Sequence, residues 1–503
     1  MGPKYDNLIQ DDELVGSADV KLEMFCERRH RCFGYDLLSI HFNPSGDTMV
    51  FIFRSFCFAI LAVAVVSVAI AQAASAESSK SPSSAAKPED LPANIKGMVR
   101  HGRLLSRPAT QPEGTVGAVS YELGRILQLD RDHCLLVASM DEQGGGDLCV
   151  GNDCFVIQKL SDIDAAKAIP LNRAVKDYKV SPDGEKTFLA KYPAVGEFVP
   201  LGARLANGKP HPAAGTGVLL SCVSTYQLDK TEGDKSVRMV EVIQLRWDGS
   251  NLKIVGREIV SQLLGLKLNG STPLASCQQD NGLLLPFGTV DGMVVFRFDW
   301  DGKAWTPTRH GKTFAKSKTE LEVSLRRQED AYYLQTRCRS AEGNLYRSKD
   351  GLEFEFVATL DTHAGSPKVL NQGLDGSLYV ASNSSPGWVR NPLEAVPWEN
   401  DHFGRSFIIH DQDGVRGDKG SSKPFVDHAV ASNVFLEGRW RHILLYRVCD
   451  LMERTLHDFQ LKQGFGNVVY GKGKGPIPRR PWSGMYAVEL EYKDVTEMPY
   501  RFD

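Results

Sequence analysis

Short strand-like segments that alternate with turn residues constrain the fold of this chain more than any other feature of its sequence. Runs such as "GVLLSCVSTYQL", "GMVVFRFDW" and "RHILLYRV" are rich in apolar and β-branched residues, and Gly, Asp, Asn or Pro bound them. Parallel α/β folds need a helical segment of about 10 to 15 residues between strands. The gaps in this sequence carry turn residues instead, so the pattern predicts an all-β fold of antiparallel strands.

Asp-Gly pairs punctuate these segments at fairly even distances. Five of them begin at Asp183, Asp248, Asp301, Asp350 and Asp413, in steps of 65, 53, 49 and 63 residues. Asp caps its own turn through backbone hydrogen bonds, and Gly takes the positive φ that a tight hairpin requires. Any antiparallel protein uses such turns, but a four-stranded propeller blade takes roughly 40 to 50 residues or more. We therefore predict a β-propeller of four-stranded antiparallel blades, with six blades and five as the alternative.

An apolar segment near the N-terminus predicts that the rest of the chain is exported. Residues 49–76 begin at Met49, carry Arg54, and then continue without charge to the small residues "AQAASA". This is the layout of a signal peptide, which predicts a mature chain that begins near Ala74 or Glu77 and is secreted, periplasmic or held at the cell surface. The alternative is a single-pass membrane anchor, since about 20 apolar residues suffice to cross a bilayer.

The remaining segments differ in composition. Residues 1–48 are interpreted as an unstructured extension or a mis-assigned start, and the Ser-, Ala- and Pro-rich residues 77–92 as a flexible linker. Residues 93–503 are long enough to bury a large core and are assigned to the propeller. With 59 Lys and Arg against 62 Asp and Glu, the net charge is -3, which does not favour nucleic acid as a partner. No zinc-ligand spacing, serine-hydrolase elbow, dinucleotide loop or Walker motif occurs, so we expect no metal and no cofactor.

Cysteine spacing suggests one disulfide. Seven cysteines follow the apolar segment, namely Cys134, Cys149, Cys154, Cys222, Cys277, Cys338 and Cys449. In an oxidising compartment, the close pair Cys149 and Cys154 is predicted to form a bond that closes a small ring. The other spacings are wide, so most of these thiols are expected to be buried as small apolar groups.

One turn carries a resemblance to a known family. The stretch "SKDGLEFEF" contains Ser348, Asp350 and Gly351, with an aromatic residue three positions later. It resembles the Asp-box of sialidases and related bacterial neuraminidase repeats, and residues 181–188, "SPDGEKTF", look like a second, looser copy. A softer resemblance covers about 110 residues, from 277 to 383. The resemblance implies a propeller in which the box is a structural hairpin and takes no part in catalysis.

The same resemblance implies an activity on glycans. The sequence lacks the Phe-Arg-Ile-Pro motif that supplies the first carboxylate-binding arginine in sialidases, which argues against sialic acid as the substrate. We therefore predict a sialidase-like glycoside hydrolase acting on an acidic or sulfated glycan or glycoconjugate. A non-catalytic carbohydrate- or protein-binding propeller is the alternative, and a membrane is a partner only if the apolar segment is retained.

The stretch from Lys423 to Arg454 has the highest density of candidate functional side chains. Asp427, Tyr446 and Asp450 are the predicted catalytic residues, because glycoside hydrolysis needs two carboxyl groups or a Tyr and a carboxylate. On a strand, Tyr446, Val448 and Asp450 share one face, while Arg447 lies on the other. The alternative is an ordinary strand-end ion pair between an arginine and an acid of this stretch.

Four further residues are predicted to bind substrate. Arg337 and Arg339 share one face of a strand and suit an anionic group, with solvated strand arginines as the alternative. His428 adjoins Asp427 in the dense stretch. His211, in the loop "KPHPAAGTG", is placed to face a sugar, with a turn histidine of no functional role as the alternative.

Overall fold

The computed structural model describes a chain built almost entirely from strands. The described residues are 91–105, 119–142, 149–173, 175–181, 184–227, 237–268, 273–279, 281–314, 320–338, 342–362, 366–383, 390–411, 424–450 and 484–502. The predicted segments 1–48 and 49–76, all but the last residues of the linker 77–92, Arg339, and the turns at Asp183 and Asp413 lie outside them. Within the described ranges, no helix is long and apolar enough to span a membrane.

The apolar segments of the sequence form the strands. Their bounds are β1 (Ile95–Leu104), β2 (Val119–Gln128), β3 (Cys134–Glu142), β4 (Cys149–Ile157), β5 (Ile169–Arg173), β6 (Val175–Ser181), β7 (Gly184–Val199), β8 (Thr216–Gln227), β9 (Val237–Trp247), β10 (Leu252–Val260), β11 (Gln262–Leu263), β12 (Leu266–Lys267), β13 (Pro273–Ala275), β14 (Cys277–Gln279), β15 (Gly282–Thr289), β16 (Gly292–Trp300), β17 (Trp305–His310), β18 (Glu320–Gln328), β19 (Ala331–Cys338), β20 (Glu342–Ser348), β21 (Glu355–Asp361), β22 (Val369–Gln372), β23 (Leu378–Ser382), β24 (Leu393–Glu399), β25 (His402–Phe403), β26 (Phe407–His410), β27 (Pro424–Leu436), β28 (Arg439–Asp450) and β29 (Gly484–Tyr492). A short 3-10 helix spans Leu160–Asp162.

Six sheets, antiparallel apart from the short parallel pair β13 and β18, form six blades, so the predicted six-bladed, all-β propeller is confirmed. Blade I is β2-β3-β4-β5, blade II is β7-β8-β9-β10 with β6 beside β7, and blade III is β14-β15-β16-β17. Blade IV is β18-β19-β20-β21 with β13 beside β18, blade V is β22-β23-β24 with β25 and β26 on β24, and blade VI is β27-β28-β29-β1. In blade VI, β1 pairs antiparallel with β29. The first strand of the described chain thus completes the blade formed by its last three strands.

The first strands of the blades surround one axis. Neighbouring first strands contact one another in the circular order β2, β7, β13 and β14, β18, β22, β27. Hydrogen bonds link them across blade boundaries: the Leu370 N–H donates to Ser324 Oγ (2.7 Å), and the Asn371 amide donates to the Ala429 carbonyl (3.2 Å). We call these strands the inner strands.

The hydrophobic core lies between neighbouring sheets rather than at the axis. Alternate residues of β28 enter two different clusters: Ile443 and Leu445 pack with blade I, whereas Tyr446 and Val448 pack with blade V. The predicted shared face of Tyr446 and Val448 is therefore confirmed. Both faces of a blade are buried because each blade has a neighbour on either side, so its strands are apolar along most of their length.

Asp-Gly turns occupy the same place in three successive blades. Asp248, Asp301 and Asp350 each lie in the hairpin between the third and fourth strands, in blades II, III and IV. The carboxylate of each accepts backbone N–H groups two and three residues later, at 2.7 to 3.1 Å. In blade IV, Ser348 Oγ also donates to Asp350 and accepts the N–H of Gly351, whose φ is +76°. The predicted steps of 53 and 49 residues between these three turns therefore each span one blade.

The predicted disulfide between Cys149 and Cys154 is wrong. Cys154 is a free, fully buried thiol. Both cysteines lie on the same strand, β4, and five residues of extended strand separate their Cα atoms by about 17 Å. A disulfide needs Cα atoms within roughly 7 Å, so the strand conformation rules the bond out.

Candidate functional site

Three inner strands are interrupted by β-bulges close to their first residues. The interruptions fall between Tyr121 and Gly124 in β2, between Leu321 and Val323 in β18, and between Asp427 and Val430 in β27. A bulge bends a strand and re-aims the side chain of its extra residue. The bulges contain Glu122, Glu322 and His428, all of them buried.

Two of the bulge residues have strained backbones. The φ angle is +48° at Glu322 and +55° at His428, a region that non-glycine residues seldom occupy. Each such conformation costs on the order of 1 to 3 kcal/mol, and such residues are concentrated at functional sites. The surrounding contacts therefore hold both side chains in place against this cost.

Ionisable side chains of blades IV and VI meet at these bulges. Glu322 Oε1 accepts a hydrogen bond from Arg337 Nη1 at 2.7 Å. Its other oxygen lies 3.6 Å from His428 Nε2, and His428 Nδ1 lies 3.1 Å from Asp427 Oδ1. The imidazole of His428 is thus held between two carboxylates from different blades.

Asp427 extends this series toward blades I and V. It accepts two hydrogen bonds from Arg447, both 2.9 Å long, and one from Arg390 at 2.5 Å. Arg447 in turn lies 3.9 Å from Glu122 Oε2. We call the connected residues the axial ion cluster: Arg337, Glu322, His428, Asp427, Arg390, Arg447 and Glu122.

Charge complementarity sets the protonation of this cluster. Burial by itself raises the pKa of Asp427, but Arg447, His428 and Arg390 hold it well below its ordinary value. Burial also opposes ionisation of Glu322, yet Arg337 and His428 lower its pKa to about 2. Burial lowers the pKa of His428, and the two carboxylates more than offset this, so its pKa is raised. Their surroundings thus favour the ionised forms of Asp427 and Glu322 and the protonated imidazole of His428.

A buried lysine adjoins the cluster. Lys368 precedes β22, is fully buried, and has its Nζ 3.4 Å from the Ser366 carbonyl. Burial and then the charges of Arg337 and Arg390 lower the pKa of Lys368 to about 8. The potential at this side of the cluster is therefore positive, which suits an anionic group of a ligand.

The structure brings three of the predicted site residues together: Asp427, His428 and Arg337 all belong to the axial ion cluster. Sequence reasoning missed Glu122 and Glu322 and treated Arg447 as a strand-end arginine. In fact, Arg447 is almost fully buried on Asp427. A usable signal was the acid within the apolar strand "ELEVSL", which contains Glu322.

The other predicted catalytic residues lie elsewhere. Tyr446 is buried between blades V and VI, where its hydroxyl is 2.9 Å from His410 Nδ1. The backbone of Asp450 pairs with Pro424 at the end of β28, and its side chain is outside the described structure, as is Arg339. These contacts give Tyr446 a packing role, and its predicted part in catalysis stays a prediction.

His211 lies at the opposite end of the blades. It is in the connection between β7 and β8, where its Nδ1 accepts the Ala213 N–H at 3.1 Å and its Nε2 lies 3.3 Å from Gln278 Nε2. The structure therefore does not bring His211 to the axial ion cluster. Among the described residues, no group of three or more His, Cys, Asp or Glu side chains is arranged to hold a metal ion.

Comparison with known proteins adds likenesses of fold only. The sequence matches no protein-family model and no curated protein sequence. A crystal structure of a Dyadobacter fermentans protein of unknown function is similar with a TM-score of 0.45 and 11% identity, over 79% of this chain and 100% of that chain. Trypanosoma rangeli sialidase in complex with the inhibitor DANA is similar with a TM-score of 0.43 and 10% identity, over 77% and 66%.

A GH43 β-1,3-galactosidase with galactodeoxynojirimycin is also similar, with a TM-score of 0.38 and 11% identity, over 59% of this chain and 95% of that chain. Similar solved structures thus include a sialidase and a galactosidase. All three TM-scores are below 0.5, so these likenesses carry no argument about function. The class of this protein, a six-bladed β-propeller with a charged cluster at one end of its axis, is defined by its own sheets and contacts.

Proposed function

We propose that this protein is an exported glycoside hydrolase that acts on an acidic or sulfated glycan. The observation that carries the proposal is the axial ion cluster. It places two carboxyl side chains, Glu322 and Glu122, at bulges of different inner strands and joins them through one series of ion-pair contacts. Glycoside hydrolysis requires such a pair of carboxyl groups on either side of the scissile bond.

The environment of Glu322 suggests its role, and Glu122 is assigned the complementary one. Glu322 is ionised at neutral pH, because its pKa is about 2, so it is the candidate to attack the sugar or to activate water. Glu122 is the candidate to protonate the leaving oxygen. Asp427 is held by two arginines, and we assign it a positioning role for His428 and Arg447 in place of the predicted catalytic one.

The positive side of the cluster supports an acidic substrate. Arg337 and Arg390 reach the cluster from blades IV and V, and Lys368 is close enough for their charges to lower its pKa. Three cationic side chains in one buried region favour a carboxylate or sulfate group on the ligand.

One observation favours the non-catalytic alternative, a glycan-binding propeller. The pKa values of Glu322 and Asp427 are both lowered by their cationic neighbours. Neither group can therefore donate a proton at neutral pH, so glycoside hydrolysis would depend on Glu122 to protonate the leaving oxygen.

The full chain should be incubated with uronate-containing, sulfated, sialylated and neutral glycans, and release of reducing ends should be measured. We expect cleavage of an acidic glycan and a loss of about 100-fold or more in kcat for Glu322→Gln, because a carboxylate needed in the transition state is removed. Glu258→Gln, on an exposed position of β10, is the matched control and should leave kcat unchanged.

Lys368→Met tests the preference for acidic substrates independently of the catalytic step. It should raise KM for acidic glycans and leave neutral ones unaffected, because it removes a charge that acts on bound substrate. Binding of a glycan without cleavage would select the binding module. A panel with neither binding nor cleavage would reject both functions.

Export through residues 49–76 is part of the proposal. The protein recovered outside the cytoplasm should begin near Ala74 or Glu77 when its N-terminus is sequenced. Recovery with residues 1–48 still attached would contradict cleavage and favour the membrane anchor.

A further inference from the structure

A separate cavity lies at the other end of the axis. It has a volume of about 600 Å³ and is lined by residues in the second halves of inner strands, among them Arg125 of β2, Glu197 of β7 and Arg326 of β18. The C-terminal residues 497–501 border it, and the Tyr500 hydroxyl fastens them by donating to the Phe198 carbonyl at 2.7 Å. This volume is in the range of sites for small ligands, about 300 to 1,000 Å³. We call it the lower axial cavity.

Arg125 is buried at this cavity, with only 4% of its surface exposed. It donates hydrogen bonds to the Gly196 carbonyl at 3.2 Å and the Leu274 carbonyl at 2.5 Å. Its Nε has no hydrogen-bond partner among the described residues. Carbonyl groups accept hydrogen bonds from a guanidinium group but do not neutralise its charge, so Arg125 retains an electrostatic demand for an anion.

Arg326 enters the same cavity from blade IV. It donates to the Ser276 carbonyl at 2.9 Å and to the Ala431 carbonyl at 3.2 Å. Burial lowers the pKa of Arg125 to about 10; the charge of Glu197 partly opposes this shift, and the charge of Arg326 adds to it. The two guanidinium groups are thus close enough to repel each other.

The carboxylate of Glu197 interacts electrostatically with both Arg125 and Arg326. Glu197 lines the cavity and accepts a hydrogen bond from Ser276 Oγ at 2.8 Å. The other charged side chains at this cavity are exposed and balance one another: Arg327 and Arg501 against Glu329 and Glu497. The inner part of the cavity therefore has two positive charges for one negative charge.

We propose that the lower axial cavity binds a small anion with a carboxylate or phosphate group, and that Arg125 and Arg326 are its ligands. The planar guanidinium fork suits both groups, since it offers parallel N–H donors to two oxygens. An anion there would offset the charge imbalance and give the Arg125 Nε a partner. This site is separate from the axial ion cluster and does not depend on the proposed hydrolysis.

Thermal unfolding of the full chain with added ligand tests the proposal. The probes are inorganic phosphate and D-glucuronate, with D-glucose and sodium chloride at matched ionic strength as controls. We expect a rise in Tm that grows with the concentration of at least one anion and does not occur with glucose or chloride. A response to glucuronate alone identifies a carboxylate site, and a response to phosphate alone identifies a phosphate site.

Variants assign the response to this cavity. Arg125→Met should weaken anion binding, measured by calorimetry, by tenfold or more. Glu197→Gln should instead tighten it by about tenfold, because it removes a nearby competing negative charge. Glu197→Gln keeps the proposal testable if Arg125→Met does not fold.

Two results would overturn the proposal. One is the absence of any anion-dependent shift, which would leave Arg125 and Arg326 as braces between inner strands. The other is a shift that Lys368→Met abolishes and Glu197→Gln leaves unchanged, which would place the anion at the axial ion cluster.

Discussion

Asp427 is the residue whose neutralisation should disturb the propeller most. It is fully buried, and four hydrogen-bonding or ion-pair contacts to Arg447, Arg390 and His428 surround its carboxylate at 2.5 to 3.1 Å. Asp427→Asn keeps the shape of the side chain and removes the charge. The amide then places an N–H donor against the N–H donors of an arginine, and Arg447, itself almost fully buried, loses its main counter-charge.

The structure sets the size of the effect. Removing one partner of a buried ion pair costs about 3 to 5 kcal/mol, because the other charge stays buried without compensation. Asp427 contacts two arginines and a histidine rather than one cation, so we expect the upper part of that range. This is a large share of the roughly 5 to 15 kcal/mol that stabilises a typical native protein.

The assay is denaturant unfolding at pH 7, followed by tryptophan fluorescence, of the wild type, Asp427→Asn, Arg447→Met and the double variant. Glu258→Gln on exposed β10 is the control and should change the unfolding free energy by less than about 0.5 kcal/mol. Because Asp427 and Arg447 share one ion pair, the double variant should lose less than the sum of the single variants. Strict additivity of the two single losses would refute the reasoning, because it would mean that Asp427 and Arg447 do not interact. A loss below about 1 kcal/mol for Asp427→Asn would also refute it, because losses of that size are typical of exposed ion pairs.

Three further predictions rest on other parts of the molecule. The pKa of His428 is raised above 6.5, so its protonated form stabilises the fold below pH 6.5, and this stabilisation is lost as the pH rises through the pKa of the folded state. Calorimetry between pH 5 and 9 should show a steeper fall of Tm with pH for the wild type than for His428→Gln. Parallel Tm curves for the two proteins would contradict this prediction. Asp350→Ala removes the acceptor of two backbone N–H groups in its turn and should cost about 1 to 2 kcal/mol, read from the denaturation midpoint, with an unchanged midpoint as the contrary result. Cys154 is a buried free thiol, so iodoacetamide should modify it only after unfolding, and mass spectrometry that found it bonded to Cys149 would show the structure of β4 to be wrong.

The local features of this protein were readable from its sequence. Strands follow from alternating apolar residues, and Asp-Gly turns follow from side-chain capping and the positive φ of glycine, both of which act over a few residues. For the same reason, Tyr446 and Val448 could be assigned to one face of β28. The sequence pattern could not say that this face packs against blade V, because that depends on which sheet is the neighbour.

The pairing of distant segments needed the tertiary structure. Glu322 and His428 come from inner strands of blades IV and VI, and only the closed ring of blades brings them together. The closure itself joins β1 to β29, which are at opposite ends of the described chain. The disulfide prediction failed for a related reason, since a short spacing favours a bond only if the chain turns between the cysteines, and in β4 it stays extended.

The ion pair between Asp427 and Arg447 depends both on the local sequence and on the tertiary structure. Leu436 pairs with Arg439 across the tight turn of β27 and β28, and counting back from that pair along an unbroken antiparallel ladder puts Asp427 opposite Val448. The bulge between Asp427 and Val430 shifts the register, so that Asp427 lies opposite Arg447. The sequence by itself determined the two strands and the turn between them, because these depend on local patterning. The ion pair was decided by the bulge, which persists because Glu322 of blade IV and the neighbouring Asp427 hold His428 in a conformation that its own backbone disfavours.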